Sequence, residues 1–307
     1  MDVKDVTKER EKHFNKGVTA LENGNWLMAV QHFNRCKELD KDFVDTYHEL
    51  ADIYYYNGQL DAALGELKSV LLIDPKDSEA RFAMGNIYMS QEKYTEALRV
   101  FKALEQDDDA GEFIPEILYN MGLAYKHLGY PELALESVEA ALKEDPSYYE
   151  CLEVLGKLHL EAGRLKEAGK AFAELIEVDP AHINAHHMLG VVYSKEMKWK
   201  EAIEEWETVL SLAPNTDEAL RELGWALNMA GEYEKAVTAL KKAIDMNPHN
   251  LQARIDLGAV FMSNLRFEEA IKEWEEARHE DPGNPLIKKF LSDAQDLKRS
   301  KEGQGKD

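Results

Sequence analysis

The residues best suited to chemistry are few. His182, His186 and His187 fall close together, and grouped imidazoles are common zinc ligands. Asp107, Asp108 and Asp109 are consecutive and could attract a cation. Neither group completes a site. No carboxylate or cysteine joins the histidines at ligand spacing, and the acidic run lacks the alternating ligands and the glycine of a calcium loop. No glycine-rich phosphate cradle and no nucleophile elbow occur in the sequence. Cys36 and Cys151, its 2 cysteines, are too few for a disulfide framework or a thiolate metal site and read as packing residues. The chain therefore reads as no enzyme, with no cofactor and no metal. What remains is recognition by a surface.

The elements that would carry such a surface announce themselves by repetition. Gly122, Gly156, Gly190, Gly224 and Gly258 are evenly spaced, as are Pro146, Pro180, Pro214, Pro248 and Pro282, and Ala134, Ala168, Ala202, Ala236 and Ala270. Each series steps by 34 positions, and three residue types in one phase are not chance. The phase runs back through Gly85, Ala51 and Gly17 and through Ala97, Ala63 and Ala29. It slips between Gly85 and Gly122, so extra residues lie in the stretch 106–115. Around these positions Leu, Tyr, Phe and Trp recur at i, i+3, i+4 and i+7, the spacing of an apolar stripe on one helix face. The small residues mark where two antiparallel helices come close. The prolines, which apart from Pro214 after Ala213 follow Asp or Asn, cannot continue a helix, so they separate hairpins.

His186, Leu189, Gly190, Tyr193, Ala202, Trp206 and Pro214 resemble the signature of the tetratricopeptide repeat. So do Tyr47, Leu50, Ala51, Tyr54, Ala63, Leu67 and Pro75, and also Leu118, Met121, Gly122, Tyr125, Ala134 and Pro146. The resemblance covers roughly residues 10 to 284. It departs at Lys41 and Asp109, which stand where the proline would be. It implies an all-α fold, a right-handed α-solenoid of antiparallel hairpins. The expected frame is an extension of the first helix over 1–9 and hairpins at 10–43, 44–77, 78–111, 115–148, 149–182, 183–216, 217–250 and 251–284. A capping helix at 285–300 follows, with Leu286, Ile287, Phe290, Leu291, Ala294 and Leu297 on one stripe, and then a disordered tail at 301–307. About seventeen helices result. The stretch 106–115 is expected to be a weak joint, because solenoid stability is carried by nearest-neighbour interfaces.

By the same resemblance, the first helix of each hairpin lines a concave groove where partners lie. Projected onto this chain, the groove receives Tyr55, Tyr56, Phe82, Asn86, Met89, Tyr119, Asn120, Leu123 and Lys126. Further along it receives Lys157, Met188, Lys195, Arg221, Trp225 and Met229, with Ile255 and Met262 beside the last two. Aromatic and methionine side chains offer large, adaptable contact area. The carboxylate clamp of some family members is not reproduced: Asn86 and Asn120 hold amide places, but Phe82, Glu150 and Val154 fill the cationic ones.

Composition bounds the partner. The chain has 307 residues, 44% hydrophobic and 31% charged, with net charge −22. That is an ordered chain whose surface repels phosphate backbones and anionic lipid, so neither nucleic acid nor a membrane is an expected partner. The amino-terminal stretch is too charged for a signal peptide, no run approaches about 18 apolar residues, and the expected location is cytoplasmic. Asp45, Glu49, Asp52, Glu79 and Glu116 accompany the first aromatic cluster, and Lys126, Lys157, Lys195 and Arg221 follow as a cationic strip. The expected ligand is a peptide-like or helical segment of another protein, amphipathic and carrying Lys or Arg. Two alternatives stand beside this scaffold or adaptor: self-association into a structural assembly, and service as the regulatory repeat module of a separate enzyme complex.

Overall fold

A computed structural model describes residues 3–107, 111 and 113–304. Among them are seventeen α-helices and no strand. The chain forms two compact units, Met1–Cys151 and Leu152–Asp307, which are described separately.

Unit 1 contains α1 (Val3–Glu22), α2 (Trp26–Leu39), α3 (Val44–Tyr56), α4 (Leu60–Ile73), α5 (Ser78–Ser90), α6 (Tyr94–Glu105), α7 (Ile114–His127) and α8 (Pro131–Glu144). Each odd helix pairs with its successor, and α2 packs on α3, α4 on α5 and α6 on α7. The remaining helices are α9 (Glu150–Glu161), α10 (Leu165–Val178), α11 (Ile183–Lys195), α12 (Trp199–Leu212), α13 (Asp217–Met229), α14 (Tyr233–Met246), α15 (Leu251–Ser263), α16 (Phe267–Glu280) and α17 (Pro285–Gln304). In unit 2 the same alternation runs from α10 through α17.

The recurring glycine has a sharper purpose than close helix approach. In every hairpin that has the glycine, a bulky side chain of the second helix lies against it. A Cβ on Gly85 would stand 2.3 Å from the Phe101 ring, and one on Gly258 would stand 2.3 Å from the Trp274 indole. Those rings are almost completely buried, like Phe33, Phe172 and Trp206 in their own hairpins. The recurring alanines, from Ala29 to Ala270, are also fully buried. Five hairpins thus have a ring-on-glycine core; Val138 and Leu240 replace the ring on Gly122 and Gly224, and Ala51 with Leu67 stands in the α3–α4 hairpin. Each core is closed when the next hairpin covers the remaining apolar face.

The turns follow rules of their own. Within hairpins the first helix ends in a left-handed residue, the usual helix stop. Gly58 fills this place with φ 73°, but Glu92, Met197 and Leu265 adopt φ 58°, 58° and 60° there. Between hairpins an Asp or Asn side chain accepts from the backbone N–H two residues on, as Asp74 Oδ1 does from Lys76 at 3.0 Å and Asp145 Oδ1 from Ser147 at 2.8 Å. Asp40 Oδ1 makes the same turn with Asp42 N–H at 3.2 Å. Lys41 therefore replaces proline without changing the connection, because the aspartate side chain shapes it. Asp109 lies outside the described residues.

The insertion is tied down at its described flanks. Asp107 Oδ2 accepts from Arg81 Nη2 at 2.8 Å, and the Phe113 ring stacks on Phe82 with centroids 5.1 Å apart. Both anchors belong to α5. Residues 108–110 and 112, which the expected weak joint also includes, lie outside the described residues. At the far end Ile287, Leu291 and Ala294 of α17 are buried against α16, and Phe290 stacks on Trp274 at 5.0 Å. Leu286 and Leu297 were expected on that stripe but are 45% and 50% exposed, since a single covering neighbour shields only part of the face. The helix continues to Gln304, past the expected end at 300, so residues 301–304 are helical. Residues 305–307 lie outside the description.

Candidate partner-binding surface

In unit 1, α3, α5 and α7 bring their groove-facing residues together. Tyr55, Asn86, Met89, Ser90, Asn120 and Leu123 line a shallow cavity of about 420 Å³. A second cavity of about 150 Å³ adjoins it, sharing Tyr55 and Asn86 and adding Ala51, Asp52, Tyr56, Leu67, Ala83 and Ile87. The Asn120 amide donates to Asn86 Oδ1 at 3.0 Å, and the Tyr55 hydroxyl lies 3.3 Å from Ser90 Oγ. Consecutive repeats are thereby linked by polar contacts on the open face. Tyr55 and Tyr56 meet edge to face at 5.7 Å. Tyr56 is 84% exposed, a large ring that the protein itself does not bury.

Charge on this surface is one-sided. Among the described residues Glu49 and Asp52 have no ion-pair or hydrogen-bond partner. Partial burial raises the Glu49 carboxyl above its ordinary value, and the like charges of Asp52 and Asp45 add to that. Asp52 keeps contact with solvent, yet crowding by its neighbours removes enough hydration to raise its carboxyl too, with Glu79 adding to the rise. His48 opposes both shifts, but its ring is 3.0 Å from Asp77 Oδ2. The surface is a cluster of incompletely compensated carboxylates beside exposed tyrosines.

Other expected groove residues divide differently. Phe82 is held between Phe113 and Phe101, with centroids 5.1 and 6.1 Å away. It is therefore a half-buried ring packed at the insertion. Tyr119 meets Tyr148 edge to face at 5.1 Å, and burial raises the Tyr148 hydroxyl above its ordinary value. Cys151 is buried and its thiol is pushed up to about 12, chiefly by burial. Leu67, Ala83, Ile87 and Ser90, which complete the cavities, are not among the expected groove residues. Leu67 belongs to a second helix and reaches the cavity from beneath. Ser90 is the last residue of α5, where periodicity is weakest.

Unit 2 settles its charges internally. Lys157 donates to Glu153 at 2.5 Å, and Asn184 bonds the same carboxylate. Arg221 pairs with Glu222 and, at 3.1 Å, with Asp256, which also accepts from Gln252 at 2.8 Å. Burial raises the Asp256 carboxyl even so. The expected strip is therefore no row of unused cations: Lys157 and Arg221 are paired within the protein, whereas Lys195 is exposed. Lys126 lies in unit 1 and also has a partner. Met188 packs on the core around Phe172, Trp225 is half-buried, Met229 is exposed, and Ile255 is buried with its carbonyl accepting from Trp274 Nε1 at 3.0 Å. The histidines do not converge. His182 caps α11, His186 lies between Glu205 and the Pro180 carbonyl, and His187 packs edge-on to Trp206.

Residues 59–288 match the family described as the cilia and flagella-associated protein 70 C-terminal domain, a tetratricopeptide-type family. The chain belongs to that family. Such repeats typically mediate protein–protein interactions and complex assembly, and the family and its relatives are generally non-enzymatic scaffolds. Human Superkiller complex protein 3 is 27% identical, the match covering 56% of this chain and 11% of that protein. The BBSome complex member BBS4 of Bos taurus is 26% identical over 44% of this chain and 25% of its own length. The chain thus spans about a tenth to a quarter of these curated relatives. Among solved structures, a tetratricopeptide repeat protein from Parabacteroides merdae has a TM-score of 0.56 at 19% identity, covering 82% of this chain and 98% of its own. MamA from Desulfovibrio magneticus gives 0.54 at 22%, covering 56% and 97%. These two likenesses support the solenoid fold. Among the described residues no helix is long and apolar enough to cross a membrane, and no three His, Cys, Asp or Glu side chains gather as a metal site.

Proposed function

We propose that this member of the family is an adaptor or scaffold that captures a basic, amphipathic segment of another protein on the α3–α5–α7 surface of unit 1. The observation that carries the reading is the joining of Tyr55, Tyr56, Met89 and Leu123 to carboxylates that no cation of the chain neutralises. An apolar segment carrying Lys or Arg gains burial on the aromatic side and charge compensation on the acidic side. Two curated relatives bear names that make them members of complexes, which suits a subunit whose work is assembly. The hairpin frame 10–284 supplies the repeating first helices that present such a surface.

The test is selection of a random peptide library against the full chain. Enriched sequences should interleave basic and apolar residues, bind more weakly as salt rises, and lose binding on Tyr55→Ala but not on Met229→Ala. Enrichment of acidic sequences, or binding indifferent to Tyr55, would overturn the proposal.

A further inference from the structure

The cavity of about 150 Å³ beside α3 has the size of one side chain and an uneven lining. Ala51, Leu67 and Ile87 are almost fully buried and apolar, so they can take methylene groups. At its mouth stand Asp52 and the two nearly perpendicular tyrosine rings, inclined at 72°. Asp52 is unpaired among the described residues, and Glu49 and Glu79 increase the negative potential around it. A lining of this kind asks for an aliphatic stem ending in a cation.

We infer that this cavity receives a single arginine side chain of the partner segment, with its guanidinium on a tyrosine ring and its fork directed at Asp52. The inference rests on the groove reading above and names the residue that the groove selects. Arginine fits better than lysine for two physical reasons. Its planar cation can stack on a ring while donating two parallel hydrogen bonds to a carboxylate, which an ammonium cannot do. It is also more weakly hydrated, so entry into a half-enclosed site costs less. The exposed Tyr56 ring supplies a second aromatic face for the cation.

The probes are N-acetyl-arginine methylamide and its citrulline and lysine counterparts, titrated into the full chain carrying labelled alanine and leucine methyls and backbone amides. The arginine probe should shift Ala51 and Ala83 saturably. Citrulline has nearly the same shape without the charge and should bind about tenfold more weakly, with lysine between the two. Asp52→Asn and Tyr55→Ala should each weaken the arginine probe, and Tyr55→Phe should keep it because the ring is retained. Equal binding of arginine and citrulline, or binding unchanged by Asp52→Asn, overturns the pocket. A longer amphipathic peptide, alternating leucine with arginine or with citrulline, separates the two proposals. If the peptide binds at Asn120 and Leu123 with no preference for arginine, the groove survives and the pocket fails. If the small probe binds at Ala51 while no peptide of either kind perturbs Leu123, the pocket survives and the groove fails. The Ala51 and Ala83 signals of each unliganded variant report whether it is folded, and the Phe variant supplies a second, conservative reading.

Discussion

In unit 1 the surface of α3, α5 and α7 leaves Glu49 and Asp52 without an ion-pair partner among the described residues, Tyr56 largely uncovered and Tyr55 partly so. In unit 2 Arg221 and Glu222 on α13 take the places of His48 and Glu49, and Asp256 on α15 again takes the place of Glu49; Arg221 bonds both carboxylates, and Asp256 also accepts from Gln252. Both surfaces rest on the same scaffold of hairpins, in which a bulky side chain of the second helix packs on a small residue of the first. The difference is where the counter-charge comes from. One surface supplies its own, and under the proposed function the other takes it from a partner. A large cavity elsewhere does not blur the contrast: the one of about 360 Å³ at Arg266, Phe267 and Lys298 is bordered by Arg266–Glu269 and Lys298–Glu268 pairs that neutralise one another.

The largest expected effect lies on the self-paired side. Arg221→Ala would leave Asp256, only 7% exposed, as a buried carboxylate facing no cation. The loss should be about 3–5 kcal/mol of stability in urea denaturation, with peptide binding to the surviving folded protein unchanged. If binding falls while stability holds, Arg221 is a contact residue and the contrast between the units fails.

Within unit 1, two aromatic residues that look alike in the sequence should separate. Phe82→Ala removes a ring held between Phe101 and Phe113, so it should cost about 2–4 kcal/mol of stability and loosen the insertion in hydrogen exchange. Tyr55→Ala should leave the melting curve nearly unchanged and weaken the selected peptides by about 1–3 kcal/mol. Reversed results would exchange their roles.

Smaller effects sharpen the same comparison. Met197 is 72% exposed and holds φ at 58° where other hairpins use glycine. Met197→Gly should therefore stabilise by about 1 kcal/mol through relief of left-handed strain. Asp52→Asn tests the unpaired carboxylate. A carboxyl raised on folding binds its proton more tightly in the native state, so its stabilising share is present at acid pH and is lost as pH rises past the ordinary carboxylate value through the raised one. At neutral pH the substitution should raise stability by up to about 1 kcal/mol while lowering affinity for basic peptides. An equal loss of stability at every pH would mean that Asp52 is a structural residue.

Much of the fold was legible because it is written in repetition. Gly122 through Gly258 and the alanines in phase with them gave the hairpins, and Pro285 marked the start of α17. The left-handed turn position escaped notice because Glu92, Met197 and Leu265 interrupt its glycine series. The proposed site was legible only as a set of first-helix positions. The repeat resemblance projected Tyr55, Asn86, Met89, Asn120 and Leu123 onto one surface, but it could not separate Tyr55 from Phe82, whose packing depends on Phe113. Nor could it show that Arg221 is already engaged, since its partner Asp256 lies one repeat away, whereas Glu153 four residues before Lys157 was a readable helix pair.

Hydrogen exchange on the full chain, with and without a saturating amphipathic peptide of alternating leucine and arginine, tests the central claim most directly. The account predicts added protection over residues 44–56, 78–90 and 114–127, with none over 217–229 and 251–263. Protection centred on α13 and α15, or spread equally over both units, would contradict it.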